Sequence, residues 1–213
     1  MTFTRALSLM VALAASSVFA AGFDVDYDSL KVAAPPKKGS AAYRRDFKIL
    51  HDYETSRTTA ECKEAGSQSF ASPKALFKAV LTASELEKVE KLGQELLDTA
   101  EKACAPFKEE YLRPRPYDAD TSLKPCVRLP GGSKSYPSSH ATMGIIMAAT
   151  YAKIFPAKKA ALLAYGKRIG EFRMLGGVHH PSDVDTGRDI GHQLLKMLNK
   201  NADYRRELTR LAP

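Results

Sequence analysis

The chain has 213 residues and a mass of 23.3 kDa, enough for one sizeable domain or at most two small ones. With 44% hydrophobic and 26% charged residues, 13 Gly and 12 Pro, it is not collagen-like, low-complexity or wholly disordered. A formal net charge of +8 and a pI near 9.3 suit anionic partners, namely nucleic acid, acidic lipid or phosphorylated small molecules, without choosing among them.

Residues 1–20 read as a secretory signal peptide. Arg5 supplies the positive start, Ala6 to Ala15 the apolar segment, and Val18-Phe19-Ala20 the small residues before a mature start at Ala21. As a membrane anchor this run is too short to cross about 30 Å of hydrocarbon, and Ser16 and Ser17 interrupt it. The expected destination is the periplasm.

Residues 21–42, with Pro35-Pro36-Lys37-Lys38-Gly39-Ser40, read as an extended arm, and residues 43–213 as one all-α domain. Thr82-Ala83-Ser84-Glu85 forms a capping box. Leu86, Val89, Leu92, Leu96 and Ala100 then recur at helical spacing, so the pattern predicts a helix ending near Cys104, just before Pro106. Further helices are predicted over 137–154, 157–174, 184–199 and 203–211. Period-2 alternation is sparse, so strands should be few. After residue 21 no run approaches 18 apolar residues, which excludes stable membrane insertion of the mature chain.

The three cysteines, Cys62, Cys104 and Cys126, permit one bridge and leave one thiol over. No CxxC is present to suggest zinc. Cys104–Cys126, which straddles an unusual loop, is the first expectation among the three pairings.

Two loops concentrate chemistry: Arg113 to Pro137, rich in Pro, Arg and Gly, and Leu175 to Ser182. A site for a phosphoryl group needs guanidinium forks, an ammonium, N–H groups at a helix start, and acid/base side chains. Three segments supply them: Lys108 through Arg115-Pro116; Pro137-Ser138-Ser139-His140; and Arg173 through His179 to Asp183.

On these residues the sequence resembles the phosphatidic acid phosphatase type 2 and vanadium haloperoxidase superfamily. It is most similar to the class A bacterial non-specific acid phosphatases, whose pattern is K-x6-R-P, P-S-G-H and S-R-x5-H-x3-D. Ser139 replaces the usual Gly and Phe172 the usual Ser. The resemblance implies that His179 attacks phosphorus to give a covalent phosphohistidine. Asp183 orients its ring, and His140 protonates the leaving oxygen and later activates water. Lys108, Arg115, Arg173, Ser138 and Ser139, with the N–H groups of residues 138 to 140, hold the phosphate. No cofactor or metal is required. The implied partners are a phosphorylated small-molecule substrate and inorganic phosphate, not nucleic acid, and the resemblance leaves room for a homo-oligomer.

The expected activity is therefore that of an exported, metal-independent acid phosphatase with a slightly acid optimum. Its rivals are a lipid phosphate or isoprenyl pyrophosphate phosphatase, a vanadate-dependent haloperoxidase, and a non-catalytic phosphate-binding protein. Around the motifs, His180 contacts the leaving group or lines the rim. Arg113 steers anions or is a solvated arginine, and Tyr136 stacks on substrate or packs. His51 and His192 read as structural, and Asp185 and Arg188 as an i, i+3 pair.

Overall fold

The helices follow from capping residues and buried apolar faces. In the computed structural model, which describes residues 22–68, 72–131 and 134–212, they are α1 (Ala41–Ser56), α2 (Thr59–Gly66), α3 (Pro73–Phe77), α4 (Ala83–Lys88), α5 (Glu90–Tyr111), α6 (Pro116–Ala119), α7 (Ser139–Ile154), α8 (Lys159–Leu175), α9 (Pro181–Leu198) and α10 (Ala202–Leu211). No strand occurs among the described residues, and none of their helices is long and apolar enough to cross a membrane. The expected signal segment lies outside them.

The central element is α7. It is apolar around its circumference and buried along nearly its whole length, as expected of a helix surrounded by others. It packs on α8, α9 and α5. Its contact with α8 is backbone to backbone, since a Cβ on Gly144 would stand 2.3 Å from the Gly166 carbonyl oxygen. On the other side, a Cβ on Gly187 of α9 would stand 2.3 Å from the carbonyl oxygen of Ser138, so only glycine lets α9 lie against the start of α7. Met143, Ile146, Met147, Leu96, Ile169, Ile190 and Leu194 fill the core among these helices.

Two expectations about the middle of the chain are corrected. The capping box does form, with Thr82 N–H on Glu85 Oε2 (2.7 Å) and Glu85 N–H on Thr82 Oγ1 (3.3 Å). The helix it starts, α4, however ends at Val89, where α5 begins. α5 then runs past Pro106 instead of stopping at Cys104. Pro106 is on the exposed face, while Leu92, Leu96, Ala100, Ala103 and Cys104 pack inward; burial of that face carries the helix through the proline. It stops at Leu112, a left-handed cap at φ 41°.

The segment before α1 carries one 3-10 turn at Tyr27–Ser29 and is strapped down. Phe23 is buried against Tyr204, its N–H on Thr99 Oγ1 (2.8 Å), and Lys31 exchanges two hydrogen bonds with Gln193. Helix α1 begins two residues earlier than the boundary read from sequence, capped by Ser40, whose Oγ accepts from Tyr43 N–H.

The bridge is Cys62–Cys126, with Cα atoms 5.7 Å apart, not Cys104–Cys126. Cys104 is a buried free thiol on the core face of α5, 3.4 Å from Thr142 Oγ1. Cys62 on α2 instead reaches the middle of the 113–137 loop and ties that helix to the segment beginning at Cys126.

Candidate active site

The three motif segments converge at one end of α7. Arg173 occupies the last turn of α8, and its carbonyl accepts the N–H groups of Val178 (3.0 Å) and His179 (3.2 Å). That reversal needs a left-handed residue, supplied by Gly177 at φ 75°. His180 and Pro181 then open α9, and the Asp183 carboxylate reaches back to the His180 N–H (Oδ2, 2.9 Å). The carbonyl of Asp183 receives the Ser138 N–H at 2.9 Å, which fixes the start of α7 to the start of α9. The Tyr136–Pro137 peptide is cis, and Lys108 Nζ donates to the Pro137 carbonyl (2.6 Å) across this turn.

Lys108, Arg115, Ser139, His140, Arg173 and His179 share the wall of one cavity of about 550 Å³. Its outer part is formed by Gln68, just beyond α2, and by Val127, Arg128, Leu129 and Lys134. Asp183 lies behind His179, fully buried, with Oδ2 3.3 Å from Nδ1. Ser138 is placed differently from expectation. It is buried in the cap, its N–H used by Asp183 and its Oγ accepting the Ala141 N–H, so the helix start faces the cavity through Ser139 and His140 instead. Ser139 has the helical backbone of the first residue of α7, so the position makes no demand for glycine.

The hydrogen bonds around His179 determine its tautomer. Arg115 Nη1 lies 2.7 Å from Nε2 and can only donate; the Asp183 carboxylate at Nδ1 can only accept. The proton is therefore on Nδ1 and the lone pair on Nε2, on the cavity side. Burial, then the Arg115 charge, hold the His179 imidazole well below its ordinary pKa despite the pull of Asp183. His140 is likewise depressed, by burial and then by Arg173, His179, Arg115 and Lys108. Burial disfavours charge on Asp183 too, but the hydrogen bond to His179, the His180 ring and Arg113 outweigh it and hold the carboxyl far below the usual range. Arg173, buried beside Arg115, is lowered to about 10, and burial also lowers Lys108.

A stability prediction follows from these directions. His140, His179 and His180 are all depressed in the folded chain, whereas in the unfolded chain they take up protons below about pH 6.5. Stability is then fully present above that pH and declines as the pH falls toward the depressed folded values. Melting of the phosphate-free protein should occur at lower temperature at about pH 5 than at about pH 7. Inorganic phosphate should raise the melting temperature at both pH values by binding the folded state. A melting temperature that rises on acidification would contradict these directions.

Several neighbours were misjudged or missed from sequence. Arg113 is neither solvated nor anion-steering. It is buried and paired with Asp183 (2.6 Å) and Asp46 (3.0 Å). Tyr136 packs, its hydroxyl bonded to the Ala33 carbonyl and Thr186. His180 is off the cavity wall, its Nε2 3.2 Å from the Pro114 carbonyl and its ring against Phe47. His51 joins α1 to Asp120, and Asp185–Arg188 does form a pair at 3.4 Å. Ser135, Ser182 and Asp46, unmarked by any motif, complete the polar packing of Asp183 and Arg113. Phe172, where a hydroxyl was expected, packs with Ala65 and Leu175 under the α2 wall. Among the described residues, no three His, Cys, Asp or Glu side chains group as a metal site.

Known proteins share both sequence and architecture. The chain is 25% identical over 194 residues to a non-specific acid phosphatase of Providencia stuartii, a match covering 85% of this chain and 78% of that protein. It is 26% identical over 196 residues to an acid phosphatase of Zymomonas mobilis, covering 84% and 72%. Among solved structures, a transmembrane PAP2-type phosphatidylglycerolphosphate phosphatase of Bacillus subtilis superposes with TM-score 0.54 at 19% identity, over 76% of this chain and 88% of that one. A bacterial vanadium-dependent iodoperoxidase gives 0.53 at 17%, over 84% and 53%. Both share the all-helical fold. With the family model matching residues 98–206, which contain all three phosphate-motif segments, the chain belongs to the PAP2 superfamily.

Proposed function

We propose that this phosphatase hydrolyses water-soluble phosphate monoesters outside the cytoplasm, without a metal ion, through a phosphohistidine on His179. The observation that carries the reading is the fixed tautomer of His179. A neutral imidazole with its lone pair on the cavity side shares that cavity with Lys108, Arg115, Arg173 and a second histidine.

In the first step His179 Nε2 forms a bond to phosphorus as the bond to the leaving oxygen breaks, and His140 gives that oxygen a proton. Arg115, Arg173 and Lys108 carry the charge of the phosphoryl oxygens. Arg115 and Arg173 each have a buried Nε–H without a partner among the described residues, and a phosphoryl oxygen satisfies such a donor. In the second step a water attacks phosphorus, His140 takes its proton, and the N–P bond breaks. The ring bears positive charge in the intermediate, and Asp183 offsets it. The leaving group points toward Gln68, Val127 and Leu129, with Arg128 and Lys134 at the mouth. Export is supported by the signal-like residues 1–20 and by the Cys62–Cys126 bridge, which belongs in an oxidising compartment.

The test is p-nitrophenyl phosphate hydrolysis with excess EDTA, together with rapid acid and alkali quenches of enzyme mixed with a radiolabelled ester. Turnover should survive the chelator, and label should remain on protein only under alkaline quench, as phosphohistidine requires. Loss of activity to EDTA with recovery on adding a divalent metal would refute the metal-free route.

A further inference from the structure

The buried charges behind His179 do not end at Asp183. Arg113 places Nη1 2.6 Å from Asp183 Oδ1 and Nη2 3.0 Å from Asp46 Oδ2, every one of the three side chains at most 6% exposed. Ser182 clamps the far end: its N–H donates to Asp46 Oδ1 (3.2 Å), its hydroxyl donates to Asp46 Oδ2, and its oxygen accepts from Arg113 Nη1 (2.7 Å). Ser135 donates to the remaining Asp183 oxygen at 2.6 Å. Asp46 comes from α1, which contributes nothing to the cavity wall.

An arginine this close to Asp183 offsets part of what that carboxylate offers an imidazole, because its opposite charge sits just behind the carboxylate that the ring touches. Asp46 restores the balance. Resting on the reading of His179 as nucleophile, we propose that Arg113 and Asp46 are positioning residues. With Asp183 they form a buried alternating array whose single net negative charge matches the single positive charge the His179 ring acquires when Nε2 bonds phosphorus. The array touches no phosphoryl oxygen, so it acts on the rate of phosphoryl transfer and leaves ground-state phosphate binding alone.

The prediction is a charge-parity pattern. Asp46→Asn keeps the shape but leaves the array neutral, and kcat should fall about 10–100-fold while Ki for inorganic phosphate moves less than about threefold. Arg113→Gln leaves two uncompensated carboxylates behind the ring, which favour the protonated ring before the reaction and make Nε2 a poorer nucleophile, so it should also be slow. The double variant Asp46→Asn/Arg113→Gln returns to one net negative charge and should exceed Asp46→Asn in kcat by about fivefold or more. A purely structural role predicts the opposite, a double variant no faster than its slower parent, and that result would overturn the proposal. If Asp46→Asn does not fold, Arg113→Lys decides. It keeps the charge without the fork and should retain at least about tenfold more kcat than Arg113→Gln; equal values would sink the array. A His179→Ala control separates the two levels. Activity persisting there refutes the nucleophile itself, whereas an inactive control beside an unimpaired Asp46→Asn refutes only the array.

Discussion

His179→Ala should lower kcat by about four orders of magnitude or more, equivalent to about 5.5 kcal/mol of lost transition-state stabilisation. The loss belongs to chemistry and not to binding. Lys108, Arg115 and Arg173 remain, and Arg115 is released from its 2.7 Å contact with Nε2, so phosphate should bind the variant as well as or better than the wild type. Steady-state kinetics with a phosphate Ki for each protein checks both halves. A variant keeping more than about a hundredth of the wild-type kcat would remove the covalent route, since loss of a true nucleophile leaves only the pocket's electrostatic assistance.

The second large effect is expected at His140. Its replacement by alanine should cost about 10²–10⁴-fold in kcat, more for alkyl phosphates than for p-nitrophenyl phosphate, because only a poor leaving group depends on a proton from the enzyme. The pH profile carries the sign. In the free enzyme His140 is held low by burial and by Arg173, His179, Arg115 and Lys108. A phosphate dianion bound between the same cations opposes them, so the imidazole regains its proton in the complex. His179, depressed by burial and Arg115, stays neutral well into acid. Turnover of the wild type should therefore fall as pH rises and His140 of the complex deprotonates, giving an optimum on the acid side. His140→Ala should lack that alkaline limb. A wild-type profile flat or rising through alkaline pH would reverse the assignment of His140 as acid.

The grouping of the candidate residues was legible because their types stand at fixed spacings within three short segments, and each segment is a helix end or turn. Lys108, Arg115, Ser139, His140, Arg173 and His179 share a cavity because α5, α7, α8 and α9 bring those ends together. The all-helical class was equally legible from apolar periodicity. What remained hidden depended on contacts between distant segments. Asp46 is an ordinary helix-face aspartate until α1 lies against α9, and Arg113 reads as solvated until two carboxylates surround it. Ser138 could not be removed from the phosphate contacts without knowing that Asp183 takes its N–H. The disulfide went wrong for the same reason, since nothing local says that Cys104 faces the core and that α2 passes beside Cys126. The helix end at Cys104 failed differently. Proline was weighed as an absolute stop, whereas its position on the outer face let burial prevail.

The Cys62–Cys126 bridge divides the molecule into parts that can change at different rates. The floor that handles the phosphoryl group is braced by helix-to-helix backbone contacts at Gly144, Gly166 and Gly187, where even a methyl group is excluded. The outer wall, from Gln68 to the Val127–Leu129 segment, is held by the covalent tie at its edge, by the Cys126 N–H on the Gly176 carbonyl and by Val127 packed with Ala65, Phe172 and Leu175. On the proposed function, substitutions at the exposed Arg128 and Leu129 of that wall change which alcohols fit while the reaction beneath them stays the same.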